Sequence, residues 1–138
     1  MKTKSKTNWE ARYACEKPLV IKTLEKKFVD IPEGSKMLIV TPKMVDDVVR
    51  ALPGGSMVEQ TDIRKTLSKQ YGADYACPVT TGIALRVVSE RAYLQIETGR
   101  KESDVTPFWR AVAPSSELAK KLACGKDYIA RKRKEERA

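Results

Sequence analysis

A chain of 138 residues that is 41% hydrophobic and 33% charged carries 27 Lys and Arg against 18 Asp and Glu, a net charge of +9. That is enough chain for one domain with a core that needs no disulfide or metal staple, and too apolar a composition for a disordered protein. No run approaches the roughly 20 apolar residues of a membrane span, and histidine is absent, which removes Ser-His-Asp and Cys-His catalysis together with the commonest metal ligand.

Cys15, Cys77 and Cys124 are odd in number and scattered, with no CxxC spacing. The set argues against a disulfide framework or a zinc site, implies no metal or cofactor, and suits a reducing cytoplasm. The basic start MKTKSKTNWE has no apolar h-region after it, so it does not read as a secretory signal. A positive balance of this size favours a polyanionic partner, most often nucleic acid. The plainer option is that the lysines only keep the surface soluble.

In chain order, Trp9 and Tyr13 stand at i, i+4 and predict one helical turn docked on the body, with Cys15 as a small packing residue. Residues 1–35 read as a basic N-terminal extension, partly ordered, and 36–138 as the domain proper. Lys36 to Val40 predicts a strand. Thr41 as N-cap and Pro42 at the first helical position open a helix carrying Val45, Val48, Val49 and Leu52, stopped by Pro53-Gly54-Gly55. A cap at Thr61 opens a second helix to about Tyr71, closed by Gly72. Pro78 starts a third, running to about Glu97. After a polar loop, Val105 to Ala113 reads as extended and 114–116 as a turn. The tail GKDYIARKRKEERA reads as a final helix whose RKRK run is either a solvated face or a phosphate contact. Helix, turn, helix and a two-stranded extended region is the order of a winged helix-turn-helix, so the expected class is α/β, mostly α.

Three segments carry a family resemblance. ALPGGSMVEQTDIRKTLSKQYG (51–72) resembles the segment of alkylguanine-DNA alkyltransferases that precedes their recognition helix. CPVTTGIALR (77–86) is similar to that helix's ARAVGGALR, with Gly82, Ala84, Leu85 and Arg86 in register. TPFWRAV (106–112) falls where those enzymes have IPCHRVV, keeping Pro107, Arg110 and Val112. The pair CPVTTGI and TPFWR is similar, over most of the chain, to a branch of small bacterial alkyltransferase-like proteins.

The resemblance implies the winged helix-turn-helix of the alkyltransferase C-terminal domain and binding to DNA, with alkylated or otherwise damaged DNA as a candidate. It also exposes departures. The acceptor cysteine and the neighbouring histidine are replaced by Phe108 and Trp109, which can neither accept an alkyl group nor move a proton. The intercalating arginine falls at Val79, and the tyrosine that helps rotate the target nucleotide falls at Gln60. The expectation is therefore a DNA-binding protein with no catalytic residue. The rival is a protein-interaction module on the same fold, its partner unknown.

Several positions keep two readings. Pro107, Phe108, Trp109 and Arg110 form either a pocket for a flipped base, where stacking contributes about 1–3 kcal/mol, or plain core. In an extended strand adjacent side chains face opposite ways, so at most one ring would line a pocket. Arg110 contacts phosphate or braces a loop. Thr80 and Thr81 meet phosphate or base edges, or cap their own helix. Gln60, Thr61, Arg64, Lys65, Lys69 and Arg86 lie on elements that flank DNA in the resembled fold, although a lysine can equally point to water. Gly82 allows close approach of a neighbouring helix or of DNA. Cys77 is a residual nucleophile or a buried structural cysteine.

Overall fold

The computed structural model describes residues 7–15 and 17–137. Its longest helix, α4 (Pro78–Glu97), is the element on which the others pack. Before it come α1 (Trp9–Ala14), β1 (Ile21–Thr23), β2 (Lys36–Leu38), α2 (Pro42–Arg50), α3 (Gln60–Tyr71) and β3 (Tyr75–Ala76). After it come α5 (Glu117–Lys121) and α6 (Gly125–Arg137), with single 3₁₀ turns at Glu102–Asp104 and Phe108–Arg110. The class is α/β, mostly helical. Among the described residues no helix is long and apolar enough to cross a membrane.

Local chemistry sets most of the boundaries. Pro42 and Pro78 occupy first-turn positions, where a missing N–H costs nothing. Gly72 closes α3 at φ +70, a conformation that a Cβ disfavours. The start of α3 differs from the expected Thr61 cap. Glu59 is the cap, in a reciprocal box in which its N–H donates to Asp62 Oδ2 at 2.8 Å. The acidic pair satisfies two helix-end donors at once, whereas a single hydroxyl at 61 would satisfy one. Thr41 takes the extended cap conformation without a side-chain cap bond.

The core is one cluster in which Val45 and Val49 of α2, Ile63 and Leu67 of α3 and Leu85 and Val88 of α4 meet the later segments. Asp46 is buried and ties three of them together. It accepts from Tyr13 Oη at 2.7 Å, from the Thr106 hydroxyl and from Arg50 Nε at 3.1 Å. Burial, followed by the Asp46 carboxylate, holds the Tyr13 hydroxyl up at about 12.

Two expectations fail here. Residues 105–113 do not form a strand: Pro107 leads into the 3₁₀ turn Phe108–Arg110, and Phe108 and Trp109 are both buried, at 0% and 3% exposed. With about three residues per turn, neighbours are not forced to opposite faces, so both rings reach the core. No two-stranded wing therefore follows α4 among the described residues. The three-stranded sheet, ordered β1-β2-β3, is built from the N-terminal half instead.

Nor do the described residues of 1–35 stand apart from the rest of the fold. β1 pairs antiparallel with β2, Ile21 opposite Leu38, so the sheet crosses the expected boundary at 35/36. β2 then pairs parallel with β3, Met37 opposite Tyr75. Ile31 is fully buried against Met37 and Cys77, and Trp9 is 3% exposed. A few well-placed apolar residues anchor this charged segment, which is why its composition concealed it.

Candidate nucleic-acid interface

The residues expected to meet DNA divide into three sets. The first serves the fold. Thr80 Oγ1 accepts from the Val40 amide at 3.0 Å, tying α4 to the end of β2, and Thr81, fully buried, donates its hydroxyl to Cys77 O at 2.6 Å. Arg64 donates to Ala76 O at 2.9 Å and forks onto Asp30 at 3.0 and 3.2 Å. That fork is the leading reason the Asp30 carboxyl lies below its ordinary value. Thr81 and Arg64 therefore spend donors on backbone carbonyls and a carboxylate, and Thr80 spends its oxygen as an acceptor within the fold.

The second set stays open. Thr61, Lys65 and Lys69 are exposed at i, i+4, i+8 on α3 and form one polar stripe with two cations. The third set converges on α4. Gln60 Nε2 donates to Pro78 O at 3.1 Å, joining the starts of α3 and α4. Its amide lies over Gly82, where a Cβ would stand 3.4 Å from Nε2. Arg86 sits one turn further along, with its guanidinium carbon 5.2 Å from the centre of the Trp9 ring.

Around these residues the first two turns of α4 expose Val79 and Ile83, at 50% and 49%. With Trp9, Arg12, Leu118 and Lys121 they line a cleft of about 330 Å³ that also takes in Gln60, Gly82 and Arg86. Gln60 and Leu118 also line a second cavity of about 310 Å³, which runs past Thr61, Leu85, Val112 and Ser116. Sequence reading missed Arg12, Ile83, Leu118 and Lys121, and saw in Trp9 only a docking contact. One signal was available: Val79 and Ile83 fall out of phase with the core stripe Ala84, Val88, Ala92.

The TPFWR segment is no base pocket. Phe108 stacks on Tyr128 at 6.2 Å between ring centres and meets Trp109 edge-on at 5.5 Å. Arg110 is a brace. Its Nε and Nη2 hold Glu136 at 3.0 and 2.7 Å, and its Nη1 donates to Leu52 O at 2.8 Å. Arg110 above all holds the Glu136 carboxyl down at about 2, against an ordinary value of 4.5. Pro107, Trp109 and Arg110 do border a space of about 420 Å³, together with Arg50, Glu102 and Lys132. Its cations are matched, however: Arg50 by Asp46, Arg110 by Glu136, and Lys132 by Glu102 at 3.0 Å.

The thiols offer no chemistry at these cavities. Cys77 is buried as the cap of α4, its sulfur accepting from Thr80 N at 3.5 Å, a placement that agrees with the structural one of its two readings. Burial, then Glu90, raises the Cys124 thiol to about 12. Among the described residues no group of three or more His, Cys, Asp or Glu could hold a metal ion.

Comparison of the chain with protein-family models, with curated proteins and with solved structures gives no match.

Proposed function

We propose that this chain is a non-catalytic, alkyltransferase-like protein that binds double-stranded DNA in the cytoplasm through α3 and the first two turns of α4. One observation carries the reading: on a chain of net charge +9, α4 exposes Val79 and Ile83, Arg86 lines the same cleft, and α3 exposes Lys65 and Lys69. Lysine and arginine on phosphates would supply the affinity, and the helix face would set the register. Alkyl transfer is left out because Phe108 and Trp109 stand where the resembled enzymes have their acceptor cysteine and histidine. If a damaged base is extruded, the cavity at Gln60, Leu85 and Ser116 is the space open to it, since Phe108 and Trp109 are packed away.

The test is a titration of labelled duplex, with and without one alkylated guanine, at two salt concentrations. Binding that weakens steeply with salt supports the reading, and tightening on the lesion extends it to damaged DNA. No binding at low ionic strength overturns it.

A second reading, the protein-interaction module, draws on a different surface. β1 is an edge strand that exposes Leu19, Val20 and Ile21 along its approach, near the loop that exposes Phe28 and Val29. Val29 is held at φ +55, which is costly for a β-branched residue. An unpaired apolar edge of this kind suits an added strand from a protein. Failure to bind duplex, together with a protein partner that Ile21→Lys releases, would favour this reading.

A further inference from the structure

The cleft between α1, α4 and α5 has a chemistry that the fold itself does not use. Arg12 and Arg86 both stand over the Trp9 indole, at 5.4 and 5.2 Å from the ring centre. Lys121 completes a lining with three cations and no carboxylate. Arg86 does have an acidic neighbour, Glu90, but its Nε lies 3.6 Å from that carboxylate, beyond hydrogen-bond length. Among the described residues Arg12 and Lys121 form no ion pair. Three cations gathered around this single carboxylate leave a net positive charge, which an entering anion relieves.

Two further observations point the same way. Trp9 is 3% exposed, yet its Nε1–H has no hydrogen-bond partner, and Arg86 Nε is likewise buried and unpartnered. Buried donors are nearly always paired, so the Trp9 indole N–H marks a place for an acceptor atom, whereas Arg86 Nε already faces the Glu90 carboxylate at 3.6 Å. Gly82 lies inside α4, where glycine costs up to about 1 kcal/mol relative to alanine. A Cβ there would meet only the Gln60 side chain, at 3.4 Å and beyond, which is ordinary contact. The fold's own packing does not require the glycine, whereas an open cleft does.

We propose that this cleft is a nucleoside-phosphate site, with the phosphate among Arg12, Arg86 and Lys121 and the sugar and base along Val79, Ile83 and Leu118. A phosphate supplies more acceptor oxygens and more charge than a carboxylate, matching three cations and one unpartnered indole N–H. The exposed apolar wall suits the face of a base, and about 330 Å³ is at the small end of ligand pockets. The proposal builds on the nucleic-acid reading and adds α1 to the binding surface, with Trp9 as a sensor of occupancy. A strand and a free nucleotide share this chemistry.

The chain has two tryptophans, so a ¹⁵N-labelled sample gives two indole N–H signals, assigned with Trp9→Phe. Three titrants are compared: a short single strand, the same sequence as duplex, and thymidine 5′-monophosphate. The Trp9 signal should move and saturate while that of Trp109 stays. Arg12→Gln, at an exposed position, should weaken binding about tenfold with no change in unfolding midpoint. Movement with a strand or duplex alone assigns the cleft to the polymer. Movement with the nucleotide and no duplex binding keeps the cleft and overturns the DNA reading. Duplex binding that leaves the Trp9 signal still and survives Arg12→Gln unchanged overturns the cleft alone. No response to any titrant overturns both.

Discussion

The two tryptophans stand at the centres of two arginine- and lysine-rich clusters with opposite electrostatics. Around Trp109, Arg110 holds Glu136 at 2.7 Å, Lys132, whose Nζ is 4.8 Å from the centre of the Trp109 ring, holds Glu102 at 3.0 Å, and Arg133 Nε donates to Trp109 O at 2.6 Å. Around Trp9 the guanidiniums of Arg12 and Arg86 have the ring and, for Arg86 alone, a distant Glu90. The first cluster is closed and neutralised, which suits a group that stabilises the fold. The second is open and uncompensated, which suits a group that waits for an anion. The conspicuous motif is therefore architectural, and on the proposed reading the plainer N-terminal residues face the partner.

The largest test of that contrast is Phe108→Ala. Removing a fully buried ring should cost about 3–5 kcal/mol in a urea unfolding curve. Any loss of DNA binding should track the loss of folded protein. A stable variant with selective loss of binding would place Phe108 in the interface after all.

Next in size is the acid dependence of the Arg110–Glu136 pair. The Glu136 carboxyl is depressed from 4.5 to about 2, so its contribution is fully present above pH 4.5 and is lost as pH falls toward 2. A shift of that size corresponds to about 3 kcal/mol. Glu136→Gln should lower stability by a similar amount at neutral pH and flatten the stability–pH curve between those values. An unchanged acid slope would remove the pair from the stability account.

Gly82→Ala separates the two clusters more finely. It should raise stability by about 0.5–1 kcal/mol through helix propensity and weaken nucleic-acid binding. A rise in midpoint with unchanged binding would detach the cleft from the partner. The smallest effect belongs to Lys65→Gln with Lys69→Gln. Stability should stay within about 0.5 kcal/mol, while the slope of log affinity against log salt should fall by about two, close to one for each phosphate that a lysine no longer neutralises. An unchanged slope would place the α3 stripe away from the DNA.

Much of the helical scaffold was legible in the sequence because local chemistry decides it. Pro78 opening α4, Glu97 ending it and Gly72 closing α3 follow from backbone geometry that no partner alters. The basic balance, the lack of histidine and the mismatch at Phe108 and Trp109 were likewise plain. Three things depended on residues distant in sequence. The 3₁₀ turn at Phe108–Arg110 forms where Tyr128 and Trp109 pack on Phe108, and a strand pattern of alternating faces could not reveal it. The N-terminal sheet forms because Ile21 finds Leu38 and Ile31 finds Cys77, pairings too few to show in a charged composition. Which cations remain free was decided last. Arg64 meets Asp30, 34 positions away, and Arg110 meets Glu136, 26 away, whereas Arg12, among the described residues, meets an aromatic face and no carboxylate. Charge is a property of composition, but its neutralisation is a property of distance, and only the folded chain sets distances between residues so far apart.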